Sequence, residues 1–301
     1  MIGTISMMKR IARTYIPGNF SHSSLQATLL TIVLILLVSC GVYKNASGST
    51  TSAPSAHVHI IGSTALLPLV TKAADLFSQQ HSDIKIDTEG SGSIAGLDAV
   101  TQHQADIGDS DIPADPSKYS DPNLTDHIVC ENIFTLIINP QIDLTSLTTQ
   151  QASNIFTGVI TNWKDVGGPN LAISPVIRPA TSGTRALFDK YILGGASEAG
   201  NPLTSDSSTT VLDTVAHTPG GISYVTTTLV NPTVKAIGLD GISATEQNIK
   251  SGTYRFWGFE HMYTLQNGVN ATTSFLDFMQ TPQIQQLAQN LGYIPVTNTQ
   301  T

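Results

Sequence analysis

Four short segments of the chain contain residue types that together can bind a small oxyanion without a metal ion. Three are turns rich in Gly, Ser and Thr, at residues 62–65, 90–93 and 178–184, and the fourth is an acidic stretch at 106–111. They supply backbone N–H groups, hydroxyls, one guanidinium and one carboxylate. Helix N-termini offer unpaired N–H groups and a partial positive charge, so turns that open helices favour anions.

The side chains in these turns suit a tetrahedral ligand. Arg178 carries a planar guanidinium that can donate to two oxygens at once. Hydroxyl donors occur at the expected helix starts, at Thr64, Ser93, Ser182 and Thr184. Such a set can coordinate a dianion with little help from other charged side chains.

Asp111 is the unusual member because a carboxylate repels an anion. It helps binding only if the ligand has a proton to donate, as phosphate does at neutral pH and sulfate does not. Sulfate would leave a buried acceptor facing an oxygen that carries no hydrogen. Asp111 therefore predicts phosphate, and a binder of sulfate, molybdate or tungstate would have no use for it.

The apolar spacing predicts which elements position these segments. Residues 57–61, 84–88 and 105–108 are typical of strands, while 66–80 and 94–104 have helical spacing. This β-α-β-α-β order predicts a parallel sheet with right-handed crossovers. The turns that follow parallel strands gather at one edge of the sheet, where ligands bind.

The remaining body continues as mixed α/β structure without an internal repeat. Strands or extended segments are predicted at 128–138, 173–178, 222–226, 234–239 and 254–264. Helices are predicted at 147–156, 185–193 and 274–290.

The N-terminal part predicts export and anchoring. An apolar run at 25–39 follows a basic stretch and is short of the roughly 20 residues that a membrane span needs. It ends in Ser39-Cys40, which resembles a bacterial lipobox. That resemblance implies that residues 1–39 are a lipoprotein signal peptide and that Cys40 is lipidated. Residues 40–56 are expected to form a flexible tether.

Composition limits the other possibilities. The chain has 301 residues, enough for one large or two medium domains, and a net charge of -8. An acidic body argues against nucleic acid as a partner, since nucleic acids attract basic patches. Cys130 remains a lone thiol and is expected in the core.

In order and spacing, these motifs resemble the phosphate-binding proteins of Pst-type ABC transporters, in the type 2 periplasmic-binding-protein superfamily. The likeness runs from about residue 57 to the end of the chain and includes 155–163 and 292–296. It implies phosphate contacts from the following eight residues: Thr64, Ala65, Ser93, Asp111, Arg178, Ser182, Gly183 and Thr184.

The resemblance also implies the architecture, a two-lobed α/β fold with two crossing hinge strands and the ligand in a cleft between the lobes. Lobe I would contain 57–136 plus 255–301, and lobe II would contain 137–254. The implied partners are inorganic phosphate, the transmembrane subunits of an ABC permease, and the membrane through the lipid anchor. We expect a monomer at the extracytoplasmic face of the bacterial membrane, with no cofactor, metal or enzymatic activity.

One position departs from the family pattern. Members often carry an acid two residues after the arginine, where it steadies the guanidinium, and this chain has Ala180 there. The departure bears on affinity more than on the identity of the ligand.

Other classes of protein remain open at this stage. Gly90, Gly92 and Ala95 match the G-x-G-x-x-A spacing of a nucleotide enzyme, although an exported lipoprotein meets no NAD pool. An exported phosphatase or serine hydrolase needs an activated nucleophile, but the chain has no G-x-S-x-G. A receptor that serves a sensor would share every binding residue.

Overall fold

A computed structural model describes residues 56–200, 202–266 and 270–296. The predicted signal peptide, Cys40 and nearly all of the tether lie outside these ranges. The first part of the body contains β1 (Ala56–Gly62), α1 (Leu67–Gln80), β2 (Ile84–Gly90), α2 (Ser93–Thr101) and β3 (Ile107–Ser110). The middle part contains β4 (Leu124–Ile138), β5 (Ser146–Leu147), α3 (Thr149–Phe156), β6 (Ser174–Ile177), α4 (Gly183–Phe188), β7 (Leu203–Thr204), α5 (Ser208–His217), β8 (Gly221–Thr226) and β9 (Lys235–Leu239). The last part contains α6 (Glu246–Lys250), β10 (Trp257–Leu265), α7 (Asn270–Met279), α8 (Pro282–Leu291) and β11 (Ile294–Pro295).

The strands form a mixed sheet whose main path runs β2-β1-β3-β10-β4-β8-β6-β7. β1 lies between β2 and β3 and is parallel to both, as the β-α-β-α-β pattern predicts. β10 is antiparallel to both β3 and β4. The α/β class is confirmed, and the antiparallel strands make the sheet mixed.

β4 is long enough to belong to two parts of the sheet. Its residues 124–133 pair with β10, whereas residues 134–138 pair with β8 and β9. We call β1, β2, β3, β10 and residues 124–133 the first half-sheet. The second half-sheet comprises β6, β8, β9 and residues 134–138. β10 begins beside the change of partner, where Phe134 N donates to Phe256 O at 3.0 Å.

Each half-sheet has its own hydrophobic core. In the first, α1, α7 and α8 cover the sheet, and Phe77 packs edge-on against Phe275 and Phe278 with ring centroids 5.4 and 5.3 Å apart. In the second, Phe188 stacks on Tyr224 with centroids 4.0 Å apart. These cores fix the strand ends from which the turns emerge.

The single helix predicted at 274–290 is wrong, because the structure has two helices there. α7 ends at Met279, and α8 begins at Pro282. Thr281 precedes the proline and is extended, with φ -67° and ψ 151°. A proline disfavours helical backbone at the preceding residue and has no N–H to continue the hydrogen-bond ladder, so the helix restarts.

A second difference is α5, which the sequence analysis did not predict. The helix spans ten residues, and Ser207 and Thr210 form a capping box at its start. Its buried face is short, with Val211, Leu212 and Val215 inward. Only a few apolar residues mark it, so hydrophobic periodicity alone gives a weak signal.

No helix within the described ranges is both long and apolar enough to cross a membrane. Cys130 is a free, fully buried thiol in β4, as expected for a small core residue. Since Cys40 lies outside these ranges, its predicted lipidation stays a prediction.

Phe77→Ala should lower the free energy of unfolding by about 3–5 kcal/mol, because it removes a buried ring from the first core. Urea denaturation followed by circular dichroism measures this change. Val159→Ala is the control, since that side chain is 72% exposed and should change stability by less than about 0.5 kcal/mol. Equal effects of the two substitutions would contradict the described core.

Candidate functional site

The turn after β1 places the hydroxyls of Ser63 and Thr64 in the interior. Ser63 Oγ accepts from the backbone N–H groups of Ala65 and Leu66, both at 3.0 Å, and so orders the start of α1. The same hydroxyl donates to Oδ1 of Asp111. Ala65, whose backbone was predicted to bind the ligand, thus has its N–H directed at Ser63. Ser63 itself was not predicted as a site residue.

Asp111 connects the two half-sheets. It follows β3 of the first half-sheet, and its backbone N–H donates to Ser93 Oγ at 2.9 Å. Oδ2 accepts from Thr184 Oγ1, at the start of α4 in the second half-sheet, at 2.7 Å. The side chain is only 3% exposed. Both of its oxygens therefore receive a hydroxyl, a pattern that suits an ionised carboxylate.

Arg178 follows β6 and is 1% exposed. Its Nε donates to Ser205 O at 3.0 Å, Nη1 to Ser208 Oγ at 3.1 Å, and Nη2 to Thr64 Oγ1 at 3.0 Å. Nη2 also donates to Asp206 O at 3.2 Å. Carbonyl and hydroxyl groups thus hold the guanidinium, and Ala180 contributes no side-chain hydrogen bond to it.

None of the ion pairs within the described ranges involves Arg178. Burial lowers the pKa of Arg178, and the nearby Asp111 charge opposes that shift. A guanidinium nevertheless stays protonated in proteins. The site therefore contains a buried positive charge whose contacts are neutral, which favours an anionic ligand.

The start of α4 supplies the third predicted turn. Ser182 is its N-cap and accepts from Arg185 N at 3.2 Å, so its hydroxyl serves the helix. A Cβ built on Gly183 would lie 2.8 Å from Ser93 Cβ and 2.9 Å from Asp111 Cβ. Only a residue without a side chain allows the two half-sheets to approach this closely.

Another contact closes the same gap. Ile94 N, in the first turn of α2, donates to Thr181 O at 3.0 Å. Gly92 has φ +98°, and a Cβ there would lie 2.7 Å from Thr181 O. The described structure is therefore a closed one, with the predicted turns in direct contact.

The structure brings Thr64, Ser93, Asp111, Arg178 and Thr184 together as a buried cluster. The sequence analysis missed the segment 205–208, which supplies three of the four acceptors of the guanidinium. Ser208 also contacts Thr64, with their hydroxyl oxygens 2.9 Å apart. The available signal was a run of hydroxyl residues before Val211, which is typical of a helix start.

Arg185 lies behind the cluster and does not enter it. Its Nη1 donates to Arg178 O at 2.9 Å, and Nη2 forms an ion pair with Glu198. Burial raises the pKa of the neighbouring Asp189 to about 6, and the charge of Glu198 adds to the shift. Arg185 therefore braces the backbone that carries Arg178.

Two further acids lie near Asp111. Asp109 is 2% exposed, and burial, followed by the charge of Asp111, raises its pKa well above the usual range. Glu260 on β10 is fully buried, and burial and Asp111 raise its pKa in the same way. No group of three or more metal-binding side chains occurs within the described part of the chain.

Comparisons with known proteins identify the class. A PBP superfamily domain model matches residues 47–283. The phosphate-binding protein PstS of Bacillus subtilis is 37% identical over 258 residues, which cover 85% of this chain and 83% of that protein.

Solved structures agree. A phosphate ABC transporter substrate-binding protein from Clostridium perfringens, with bound phosphate, has a TM-score of 0.76 at 27% identity and covers 80% of this chain and 100% of its own. An ABC-type phosphate transport receptor from Vibrio cholerae has a TM-score of 0.66 at 26% identity, covering 79% of this chain and 100% of its own. The chain therefore belongs to the PBP superfamily and, within it, to the PstS family of phosphate-binding proteins.

Gly183→Ala should fold normally but hold the two half-sheets apart, because the added methyl group overlaps Ser93 and Asp111 in the closed form. Small-angle X-ray scattering should then give a larger radius of gyration than for the wild type. Gly241→Ala is the control, since its added methyl group meets nothing within 4 Å, although φ is +79°. Identical scattering from Gly183→Ala and wild type would contradict this role for Gly183.

Proposed function

We propose that the protein captures inorganic phosphate outside the cytoplasm and delivers it to an ABC permease. The observation that carries the proposal is the buried Arg178, whose hydrogen bonds all go to neutral groups such as Thr64, with the carboxylate of Asp111 nearby. Membership of the PstS family supports phosphate as the ligand. The protein does no covalent chemistry in this proposal.

In the proposed complex, Arg178 donates two hydrogen bonds to phosphate oxygens, one from the free N–H of Nη1 and one from Nη2 in place of a present bond. The hydroxyls of Thr64, Ser93, Ser182 and Thr184 donate to the remaining oxygens. The backbone N–H groups of Ala65 and Gly183 complete the set at two helix starts. Ser182 and Ala65 would then share their present hydrogen bonds with the ligand.

Asp111 provides selectivity in this mechanism. A singly protonated phosphate can donate its proton to a carboxylate oxygen, and Oδ2 of Asp111 can accept it once the Thr184 hydroxyl turns from that oxygen to the ligand. Sulfate has no proton at neutral pH, so two negative oxygens would face each other in a buried site. The cost of that unpaired contact favours phosphate.

We further propose that the two half-sheets lie in two lobes, with lobe I comprising 57–136 plus 255–301 and lobe II comprising 137–254; the change of partner in β4 falls at residues 133 and 134, three residues before that boundary. β4 and the chain entering β10 at residues 255–257 are the two crossings between them. Opening would break the contacts of Thr64 with Arg178 and of Asp111 with Thr184, and ligand would stabilise the closed form. The closed face is then the surface that the permease recognises.

The extracytoplasmic location rests on the family and on the N-terminal sequence. We propose that residues 1–39 are removed, that Cys40 carries the lipid, and that 40–56 tether a monomeric body beside the permease.

Calorimetry at neutral pH on the protein stripped of ligand should give phosphate binding near 1 μM, or about 8 kcal/mol, and no heat with sulfate. Asp111→Asn should lose this preference, because the amide can donate to a sulfate oxygen. Glu89→Gln, a substitution at an exposed acid, is the control and should behave as wild type. Equal binding of both anions by the wild type would remove the selective role of Asp111, and binding of neither would overturn the proposed function.

Cys40→Ser should move the protein from the membrane fraction to the soluble fraction of the expressing bacterium and abolish incorporation of labelled fatty acid. Cys130→Ser is the matched control, because that thiol is buried in the core and should not affect labelling. Unchanged labelling of Cys40→Ser would contradict the anchor.

A further inference from the structure

Glu260 is a buried acid that the proposed binding mechanism does not use. It lies on β10 with 0% exposure. Oε1 accepts from Asn132 Nδ2 at 2.6 Å, while no donor within the described ranges reaches Oε2, and the neighbouring carboxylate of Asp111 can accept a hydrogen bond from Glu260 when Glu260 is protonated. A buried acceptor left unpaired is costly, but a protonated oxygen at the same position is a donor. The geometry therefore favours the neutral acid.

The neighbouring hydrogen bonds fix the orientation of the amide that holds Glu260. Thr226 Oγ1 on β8 donates to Asn132 Oδ1 at 2.6 Å, so the amide N–H₂ of Asn132 is directed to Glu260. These two hydrogen bonds connect β8 of the second half-sheet, through β4, to β10. Glu260 is thus held at the crossing strands, where the half-sheets meet.

The groups that face Glu260 come from several elements. Asp109 and Asp111 approach from β3 and the residue that follows it, and both act on the Glu260 carboxyl. Cys130 approaches from β4 and Tyr293 from the segment before β11. No ion pair within the described ranges includes Glu260. The carboxyl therefore lies among acids, a thiol and a phenol.

Burial is the first cause of the raised pKa of Glu260, and the charge of Asp111 is the second. The pKa of Asp109 is raised by the same two causes in the same order. Burial also raises the pKa values of the Cys130 thiol and the Tyr293 phenol, which keeps both groups neutral. Burial thus disfavours a negative charge on each of these four groups.

We propose that Glu260 is a positioning residue for the phosphate site, a neutral acid that leaves Asp111 as the single carboxylate and limits binding at alkaline pH. This inference rests on the proposed function. When Glu260 loses its proton, a second negative charge arises beside Asp111, where Arg178 is the neighbouring cation. Phosphate, an anion, must then bind against two carboxylates.

The direction of the pH dependence follows from the raised pKa. Glu260 is neutral below its pKa in the folded protein, and binding is strongest there. Affinity falls as pH rises through that pKa. Phosphate keeps one proton over the range from about pH 8 to about pH 9.5, so a loss of affinity there reports on the protein.

The test compares phosphate affinity by calorimetry for wild type and Glu260→Gln from about pH 7 to about pH 9.5. The glutamine keeps the shape and neutrality of the acid, so the affinities at neutral pH should agree within about threefold. Wild type should bind phosphate more weakly at the alkaline end than at neutral pH, and the ratio of these two affinities should be clearly smaller for the variant. Glu131→Gln is the matched control, because it removes an acid next to Asn132 on β4. Its phosphate affinity should show the same pH dependence as wild type.

Infrared spectroscopy gives an independent readout. Wild type at neutral pH should show the carbonyl stretch of a buried carboxylic acid, and Glu260→Gln should lose part of it. Coincident pH profiles, tighter phosphate binding by the variant at neutral pH, or an unchanged band would each overturn the inference. If Glu260→Gln does not fold, the wild type alone provides the test. The inference is then overturned if the wild type shows no carbonyl band of a buried carboxylic acid and no loss of phosphate affinity at alkaline pH. Failure of the wild type to bind phosphate at any pH would instead overturn the proposed function.

Discussion

The structure depends on a buried guanidinium that is held entirely by neutral groups. Transfer of a charge into a protein interior costs several kcal/mol unless hydrogen bonds compensate. Arg178 meets this demand with carbonyls and hydroxyls from the start of α5 and with Thr64 from the start of α1. These acceptors are polar but uncharged, so the positive charge is solvated without being cancelled. An anion can therefore still be attracted to it.

The same hydrogen bonds join the two half-sheets. Arg178 belongs to the second and contacts Thr64 of the first, whereas Asp111 belongs to the first and accepts from Thr184 of the second. Gly183 permits this approach because any side chain would overlap Ser93. Binding and closure therefore involve the same atoms, which is the physical basis for coupling a ligand to a shape that a partner can recognise.

The side of the site that contains Asp111 holds three acidic side chains, whose charges oppose one another. Three acids lie within one buried cluster, and burial, followed by the charge of Asp111, raises the pKa values of Asp109 and Glu260. Hydroxyls donate to both oxygens of Asp111, whereas Oδ1 of Asp109 and Oε2 of Glu260 receive no hydrogen bond within the described ranges. The fold thereby gives three acidic side chains different surroundings. These surroundings consist of hydrogen-bond partners and burial, and neither is visible in the order of residues along the chain.

The sequence by itself determined the β-α-β-α-β unit, the helix-opening turns and five clustered residues, because local capping and hydrophobic periodicity act over a few neighbours. The single helix predicted at 274–290 is wrong, because the chain breaks before Pro282, and a proline is a local signal for such a break. The contribution of Ser208 and the pairing of Ser63 with Asp111 could not be predicted. Those contacts join residues 144 and 48 positions apart: Thr64 meets Ser208 where the two half-sheets pack, and Ser63 meets Asp111 because β1 and β3 are adjacent. Tertiary structure alone decided which hydroxyls bind Arg178 and Asp111, because that choice depends on distances between residues that are far apart in the sequence.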